Sequence, residues 1–566
     1  MADLGASNIP RPAQNYGQPS IDGELKIFVN SAFEISDQIE AYAFGNYANR
    51  DVSTEFFWRN PNRFSDVYTQ GSKRLVLDLT ADNSGNCPTA TSASAISPPN
   101  RFFPTQEEYD ADLIILTALA ADANCWSVNE LYPAGYRPTY GAEIDDWGSV
   151  FGLRVETKNG YYYDLSASYG TNEVKYAIGN TLNPSLGPGS PTSFRPGDSV
   201  QSEFNLNLDV TWTQEFAALY SPLNIAAGLE WRKERFESVA GDRNSWLVGE
   251  FHSQGASIGS NGYPGTPPQQ AGNWDRSNSA FYLDFEANIS EKLLMGLAVR
   301  YEDFDDFGST SNFKGIFRYD FNEIFALRAS IGTGFKAPTP GQSNVTRTTT
   351  SSFNNELLQG GQIPPTNVIA MYYGGEALTP EEADNLSIGF SLLPLENLVL
   401  TLDYFKIDVT DRISIGARQS LTGDDVAELV GLGVPGASDF SFVEFFGNSS
   451  DTSTEGIDLV LTYDIEWPQF GNTEISLAWN QTKTRVDFSE NPSRRFIVRL
   501  QERPENRGIL TISHNWQNFR VQVRASYYDD WVDAKFNGDD YSPVCTQERP
   551  NPGAPTLAMV PSKLSI

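Results

Sequence analysis

The sequence predicts an all-β protein, and within that class a transmembrane, antiparallel, up-and-down β-barrel. Three observations support this prediction. Apolar and polar residues alternate with period two, the alternating runs are longer than the strands of soluble proteins, and short and long connections follow one another in a regular order. Together they distinguish a membrane barrel from a soluble β-sandwich.

The alternation is clearest in residues 204–212, 281–289, 457–467 and 521–527, with Val460 as the one lapse. Successive side chains of a strand point to opposite faces, so each run has one apolar face and one charged or amide face. Any half-buried sheet alternates in this way, and the pattern by itself therefore indicates β structure only.

The length of the predicted strands favours a membrane barrel over a soluble β protein. Many runs extend over ~12–18 residues, whereas strands of soluble proteins average ~5–6. A tilted strand needs ~9–11 residues for the hydrocarbon alone and more to project beyond it. We expect about sixteen such strands in the chain.

The connections alternate between tight turns and mostly long loops, which puts all turns at one rim of an up-and-down sheet. Aromatic residues, typical of an interfacial girdle, gather at the short-turn ends of the runs, and they are Phe216, Phe321, Trp467, Phe470, Trp516 and Phe519. The tight turns are predicted at 36–37, 158–160, 290–292, 321–323, 394–397, 470–472 and 517–518. The wider connections are predicted at 60–140, 181–198, 239–275, 339–377 and 414–452, with shorter ones at 306–311 and 488–504. We therefore expect short periplasmic turns and long external loops.

Composition and charge exclude several other functions. The 40 basic and 72 acidic side chains give 40 − 72 = −32, which argues against a nucleic-acid partner. No segment has the ~18–20 continuous apolar residues of a spanning helix, and Leu113 to Ala121 is expected to be a small amphipathic helix in a loop. Only His252 and His514 are present, and no nucleophile motif is visible. We predict no enzymatic activity, no cofactor and no metal site.

Three weaker features leave alternatives open. Gly431 to Gly436 matches a dinucleotide pattern of glycines, but the strand–turn–helix context is absent. The acidic runs Glu302 to Asp306 and Asp539-Asp540 either bind calcium or, as we favour, form a solvated acidic rim. Cys87 and Cys125 fall in one long loop and form either a bridge or two separate thiols.

Two segments resemble consecutive strand motifs of TonB-dependent outer-membrane receptors. The run Arg328 to Pro338 ends in Gly-Phe-Lys-Ala-Pro, and after a long loop Leu378 to Gly389 begins Leu-Thr-Pro-Glu. Residues 41–50 with 57–61 are also similar to an early hairpin of this family, and the resemblance spans roughly residues 16–534. The motif residues are Gly332, Gly334, Phe335, Lys336, Ala337, Pro338, Leu378, Pro380, Glu381, Asn385 and Gly389.

We interpret these motif residues as structural and not as ligands. Pro338 removes a ladder donor and ends its strand, and Pro380 precedes re-entry into the next strand. Gly332 and Gly334 leave room on the wall for close backbone approach.

The resemblance implies a partial barrel. Members of the family have twenty-two strands and an N-terminal plug, so we expect the plug and two or three strands at each end to be missing. No signal sequence precedes the strands, which agrees with truncation. The expected domains are 1–534, the partial barrel, and 535–566, an external loop with a truncated tail.

The resemblance also implies a function. It predicts a receptor of the bacterial outer membrane, in contact with lipid, for uptake of a scarce nutrient such as an iron chelate, a cobalamin or an oligosaccharide. The TonB energy-coupling complex would act through the plug segment, so the chain by itself is expected not to couple. The alternative is a passive porin-like channel of about sixteen strands.

Overall fold

A computed structural model describes eleven parts of the chain. They are residues 19–61, 64–71, 73–88, 114–353, 356–434, 437, 440–488, 503–537, 540–543, 558–560 and 563–565.

Sixteen long strands form one antiparallel sheet, called the wall below, in which each strand is paired with the next along the chain. The prediction of about sixteen up-and-down strands is thus confirmed. The strands are β1 Ser20–Ser36, β2 Ile39–Glu55, β3 Thr139–Glu156, β4 Tyr162–Gly179, β5 Ser193–Gln214, β6 Leu223–Ala240, β7 Gly272–Ser290, β8 Leu293–Phe304, β9 Gly308–Asp320, β10 Phe325–Lys336, β11 Glu381–Leu395, β12 Leu398–Ile415, β13 Phe446–Trp467, β14 Gly471–Phe488, β15 Asn506–Trp516 and β16 Phe519–Tyr528.

Short and long connections lie at opposite rims of the wall, as predicted. All seven predicted tight turns join consecutive strands at one rim, and an eighth, at 215–222, was not predicted. The other rim has the segments 56–138, 180–192, 241–271, 337–380 and 416–445, with a short connection at 305–307. We call the two rims the short-turn rim and the long-loop rim.

The register gives the wall one apolar and one polar face. Leu208, Leu229, Phe281 and Tyr301 are direct partners across four strands, and all are exposed on the apolar face. On the polar face the Tyr282 hydroxyl donates to Asp209 over 2.6 Å, and Arg328 pairs with Asp403. The six aromatic residues predicted near the short-turn rim are exposed as well. A lipid-facing band with an aromatic girdle has these properties.

The wall has two edges in the described part of the chain. There β1 is paired only with β2, and β16 is paired with β15 and with the short strand Lys563–Ser565. The described strands therefore do not close on themselves.

The remaining elements are short and lie mostly in the loops. The helices are α1 Val128–Leu131, α2 Arg243–Trp246, α3 Pro340–Asn344, α4 Val368–Tyr372 and α5 Gly423–Gly431. Residues 114–120 are also helical, as expected for this segment, and Pro184–Gly189 and Glu250–Gln254 are 3-10 turns. None of the helices in the described ranges is long and apolar enough to span a membrane. The other strands are Thr69–Gln70, Lys73–Arg74, Leu77–Asp78, Cys125–Trp126, Arg347–Phe353, Glu356–Gln362, Gln419–Ser420, Phe442–Glu444, Trp531–Asn537, Asp540–Pro543 and Ala558–Val560.

The long loops fold into two lobes above the wall. The first loop lobe consists of the described residues of segments 56–138, 180–192 and 241–271, which share one apolar core around Tyr68 and Trp126. The second loop lobe consists of the described residues of segments 337–380 and 416–445, which share a core around Ile369 and Leu429.

Candidate functional site

A cavity of about 260 Å³ lies between the wall and the second loop lobe, at the long-loop rim. Strands β5 and β6 form one side of it, and the beginning of segment 337–380 forms the other. Its lining residues are Gln201, Glu234, Arg235, Phe236, Thr339, Pro340, Gly341, Gln342, Val345, Arg347, Gln362 and Phe446.

Helix α3 brings its part of the lining into place through a capping box. The Thr339 hydroxyl accepts a hydrogen bond from the Gln342 N–H over 3.1 Å, and the Gln342 side chain accepts one from the Thr339 N–H over 2.9 Å. Pro340 occupies the first turn, where its missing N–H costs nothing. A helix of this length is stable only through such local bonds and its packing.

Close packing joins this helix to the wall. A Cβ atom at Gly341 would meet the Phe236 ring at 3.4 Å, so the backbone of the helix lies directly against the ring. Phe236 in turn stacks on Trp274 with ring centroids 6.2 Å apart. The apolar part of the cavity is therefore a fixed surface.

Some of the charged side chains around the cavity have ion-pair partners in the described part of the chain and another does not. Glu234 forms an ion pair with Arg276, and Arg235 lies 3.4 Å from Glu237. Arg347 is exposed, and it has no ion pair or hydrogen bond with any residue whose side chain the structure describes. The charge left available to a ligand is therefore positive, although the whole chain is strongly acidic.

A cluster of tyrosines lies beside Arg347. Ring centroids are 5.0 Å apart for Tyr140 and Tyr263, 5.6 Å for Tyr176 and Tyr263, and 5.9 Å for Tyr140 and Tyr176. Burial raises the pKa of Tyr263, and the nearby positive charge of Arg347 opposes that shift. Arg347 therefore lies close both to the cavity and to half-buried phenol groups of β3, β4 and the first loop lobe.

The family-like motif residues close the base of segment 337–380. Lys336 and Glu381 are direct cross-strand partners, and their side chains form an ion pair of 2.9 Å. Glu381 is buried and also accepts a hydrogen bond from the Ile413 N–H over 3.2 Å. Just before it, Asn448 bonds both the N–H and the carbonyl of Thr379, over 3.0 and 2.9 Å.

The other motif residues lie around the same stem. Phe335 packs edge-on against Phe304 with centroids 5.8 Å apart, Leu378 is buried, and Ala337 and Pro380 lie at the two ends of the loop. Asn385 is the cross-strand partner of Gly332, where a Cβ atom would meet the Phe313 carbonyl at 2.9 Å. At Gly334 the nearest atom would be 3.9 Å away, so close approach, which the sequence suggested, does not explain this glycine. Gly389 instead lies tightly against the Asp403 carboxylate.

The acidic run 302–306 is divided among separate partners. Glu302 pairs with Arg300 over 2.7 Å, Asp305 accepts from Ser277 over 2.6 Å, and Asp306 lies 3.8 Å from Arg276. Asp303, Asp305 and Asp306 are exposed, as a solvated rim requires, whereas Glu302 is buried. Asp539 of the second predicted cluster lies outside the described residues.

The structure also locates the two loop cysteines and part of the glycine-rich segment. Cys87 and Cys125 form a disulfide within the first loop lobe, which decides between the two alternatives. Gly431 ends helix α5 and Gly433 follows it, while residues 435–436 lie outside the described ranges. Sequence patterns gave no signal for Gln201, Arg276 or Arg347, because their roles depend on contacts between distant segments.

Comparisons with known proteins agree with this architecture. The siderophore receptor PirA from Acinetobacter baumannii is similar with a TM-score of 0.54 and 14% identity, covering 97% of this chain and 64% of PirA. FpvA of P. aeruginosa, solved with heterologous pyoverdines, has a TM-score of 0.52 and 12% identity, covering 96% of this chain and 57% of FpvA. The chain thus spans less than two thirds of the length of either receptor. At 14% and 12% sequence identity, these similarities are evidence for a shared fold only.

The sequence itself matches a family. No curated protein matches the chain. The family model described as TonB dependent receptor-like, beta-barrel matches residues 36–553, which is most of the sequence. The chain therefore belongs to the TonB-dependent receptor family, and the match lies in the β-barrel that the wall and its two loop lobes represent.

Proposed function

We propose that the chain forms the wall and outer mouth of a receptor in the bacterial outer membrane, for TonB-coupled uptake of a small-molecule nutrient. The family match supports a receptor, and the exposed apolar face with its aromatic girdle supports contact with lipid. The energy-coupling complex is a proposed partner of the whole receptor.

The ligand we favour is an anionic iron chelate. The observation that supports it is Arg347 in the cavity, which has no ion pair among the side chains that the structure describes and lies beside the amides of Gln201 and Gln362 and the rings of Phe236 and Phe446. A guanidinium binds carboxylate or catecholate oxygens through charge-assisted hydrogen bonds worth about 1.5–3 kcal/mol. Cobalamins and neutral oligosaccharides would gain much less from this charge.

The experiment measures binding of radiolabelled ligands to cells that express the chain, using anionic ferric chelates, a neutral ferric chelate, cobalamin and a maltooligosaccharide. We expect saturable binding of an anionic chelate and a loss of at least tenfold in affinity with Arg347→Ala. Arg243→Ala changes an exposed arginine of the first loop lobe and is the matched control. Saturable binding of cobalamin or oligosaccharide only, unaffected by Arg347→Ala, would contradict the ligand class.

A passive channel of about sixteen strands is the alternative function, and energy dependence separates the two. Uptake through the complete receptor should cease when the energy-coupling complex is deleted, while binding at the cell surface remains. A porin would continue to admit solutes of suitable size in the deleted strain.

A further inference from the structure

Arg276 is a buried arginine that the cavity lining does not include. It lies on the polar face of β7 at the long-loop rim and is only 4% exposed. Burial of a guanidinium is costly unless its donors are satisfied, so its partners show what the residue holds together.

Those partners belong to both sides of the cavity. One terminal nitrogen donates to the Pro338 carbonyl, and the other pairs with the Glu234 carboxylate. The guanidinium carbon lies 5.3 Å from the ring centroid of Phe304 and 5.8 Å from that of Phe307. Asp306 completes the surroundings at 3.8 Å.

The two hydrogen-bonded partners are adjacent to ligand-facing groups. Pro338 directly precedes Thr339, which caps helix α3, and both Thr339 and the helix line the cavity. Glu234 lines the opposite side. One planar guanidinium therefore fixes the distance between the wall and the loop.

We propose that Arg276 is a positioning residue that sets the width of the cavity. The loop base is held at its stem by Lys336 and Glu381, but this ion pair lies on β10 and β11 and does not touch β6. Without Arg276, segment 337–345 keeps its packing against β6 and β7 near Glu234, including that of Gly341 on Phe236, but loses the hydrogen bond to the Pro338 carbonyl. The helix would then move about its stem relative to β6.

The planar fork of arginine is needed for this role. A lysine in its place has one compact charged group and cannot hold two acceptors in a fixed geometry. Substitution by glutamine removes the charge and leaves Glu234 without its buried partner. We therefore expect a graded effect, larger for Arg276→Gln than for Arg276→Lys.

The test measures the distance directly with spin labels. Labels are attached at Asn207→Cys on β5 and Ser343→Cys on α3, in a Cys545→Ser background that keeps the native disulfide. Asn207 is six residues from Gln201 along the strand, so the label separation is expected to be roughly 20 Å. Arg300→Gln is the matched control, because Arg300 pairs with Glu230 and Glu302 on the same face of the wall without contacting the loop.

We expect the distance distribution to broaden at least twofold in Arg276→Gln, to broaden less in Arg276→Lys and to stay unchanged in Arg300→Gln. If Arg276→Gln does not assemble, as shown by loss of heat-modifiable migration, the result for Arg276→Lys decides. A distribution as narrow as that of the parent protein would overturn the proposal.

A second readout, the affinity for an anionic ferric chelate, rests on the proposed function. We expect Arg276→Gln to weaken it about tenfold and Arg300→Gln to leave it unchanged. Reduced affinity with an unchanged distance distribution would contradict positioning and indicate another cause. If no chelate binds even the parent protein while the distribution still broadens, the proposed function fails and the positioning role is supported.

Discussion

The two loop lobes cover the same rim of the wall but are built differently. The first loop lobe combines three segments around an aromatic core that includes the fully buried Tyr68, and a disulfide joins Cys87 to Cys125. The second combines two segments, and the strands of its four-stranded sheet include a parallel pair, Glu356–Gln362 with Phe442–Glu444. Among the described residues only the second lobe supplies loop residues to the cavity.

The arginines of the two lobes also differ in whether their charge faces the cavity. In the first, the Arg59 guanidinium lies 4.0 Å from the Phe57 ring centroid and 4.7 Å from that of Phe64, and it donates to Asn261. Its charge is thus used within the lobe, whereas Arg347 of the second lobe faces the cavity. On the proposed function, we infer that the first lobe is a rigid cover and the second the ligand-facing part.

Removing the disulfide should change the relative stability of the two lobes more than any other substitution considered below. Cys87→Ser with Cys125→Ser opens a covalent loop with a sequence separation of 38. In the chain-entropy view such a loop contributes about 4 kcal/mol to stability. We expect faster amide exchange throughout residues 64–88 and 114–138, measured by mass spectrometry, and unchanged exchange in helices α4 and α5.

Ligand affinity should fall less than threefold in this double variant, because the first lobe supplies no loop residue to the cavity. Cys545→Ser controls for a cysteine-to-serine substitution that opens no disulfide. A tenfold loss of affinity, or increased exchange in the second lobe, would show that the lobes are coupled and that the contrast is wrong.

The second effect in size concerns the core of the second lobe. Leu429 is completely buried beside Ile369 and Val443. Leu429→Ala removes part of that core, and truncations of this kind cost about 3 kcal/mol. We expect increased exchange in segments 356–380 and 416–434, and a loss of ligand affinity, since the sheet that carries Gln362 is loosened.

Val430→Ala is the matched control, because Val430 neighbours Leu429 in the same helix but is exposed. It should change neither exchange nor affinity measurably. If Leu429→Ala leaves affinity unchanged while the lobe becomes mobile, the second lobe is not the ligand-facing part.

The wall was largely predictable from sequence because its signals are local. Alternation within each run specifies a strand and its lipid-facing side, and the tight turns specify which strands are neighbours. The missed turn at 215–222 is long for its rim and has no glycine or asparagine, so it resembles neither a tight turn nor an external loop. The stem residues Lys336 and Glu381 were identified by the resemblance to TonB-dependent receptors and not by such local patterns, and their ion pair was not predicted.

The lobes and the cavity could not be predicted, because their contacts join segments far apart in the chain. Arg59 bonds a residue 202 positions away, and Arg276 bonds the Pro338 carbonyl 62 positions away. Loop composition gives no pattern that pairs such segments. The separation of ligand-facing from covering loops therefore becomes visible only in three dimensions.

The smallest expected effect is a pH dependence that distinguishes two helices of the second lobe. Helices α5 and α3 begin with the same capping box, but the third helical position is Asp425 in α5 and Gln342 in α3. Hydrogen bonds from the Thr422 side chain and backbone N–H lower the pKa of Asp425 below its ordinary value of 3.8. Because the folded-state pKa is lowered, this stabilisation is present at pH above the ordinary value and is lost as the pH falls through the folded-state value.

Acidification from pH 6 to pH 3 should therefore loosen α5 and spare α3, whose glutamine does not titrate. The measurement is amide exchange of both helices, each corrected for its intrinsic rate at that pH. Thr422→Ala removes the cap itself, at a cost of about 1 kcal/mol to α5. In this variant the corrected amide exchange of α5 should therefore be the same at pH 6 and at pH 3. Equal loosening of both helices at pH 3 would show that acid acts on the whole lobe, and the cap of α5 would then not be the pH-sensitive element of the ligand-facing side.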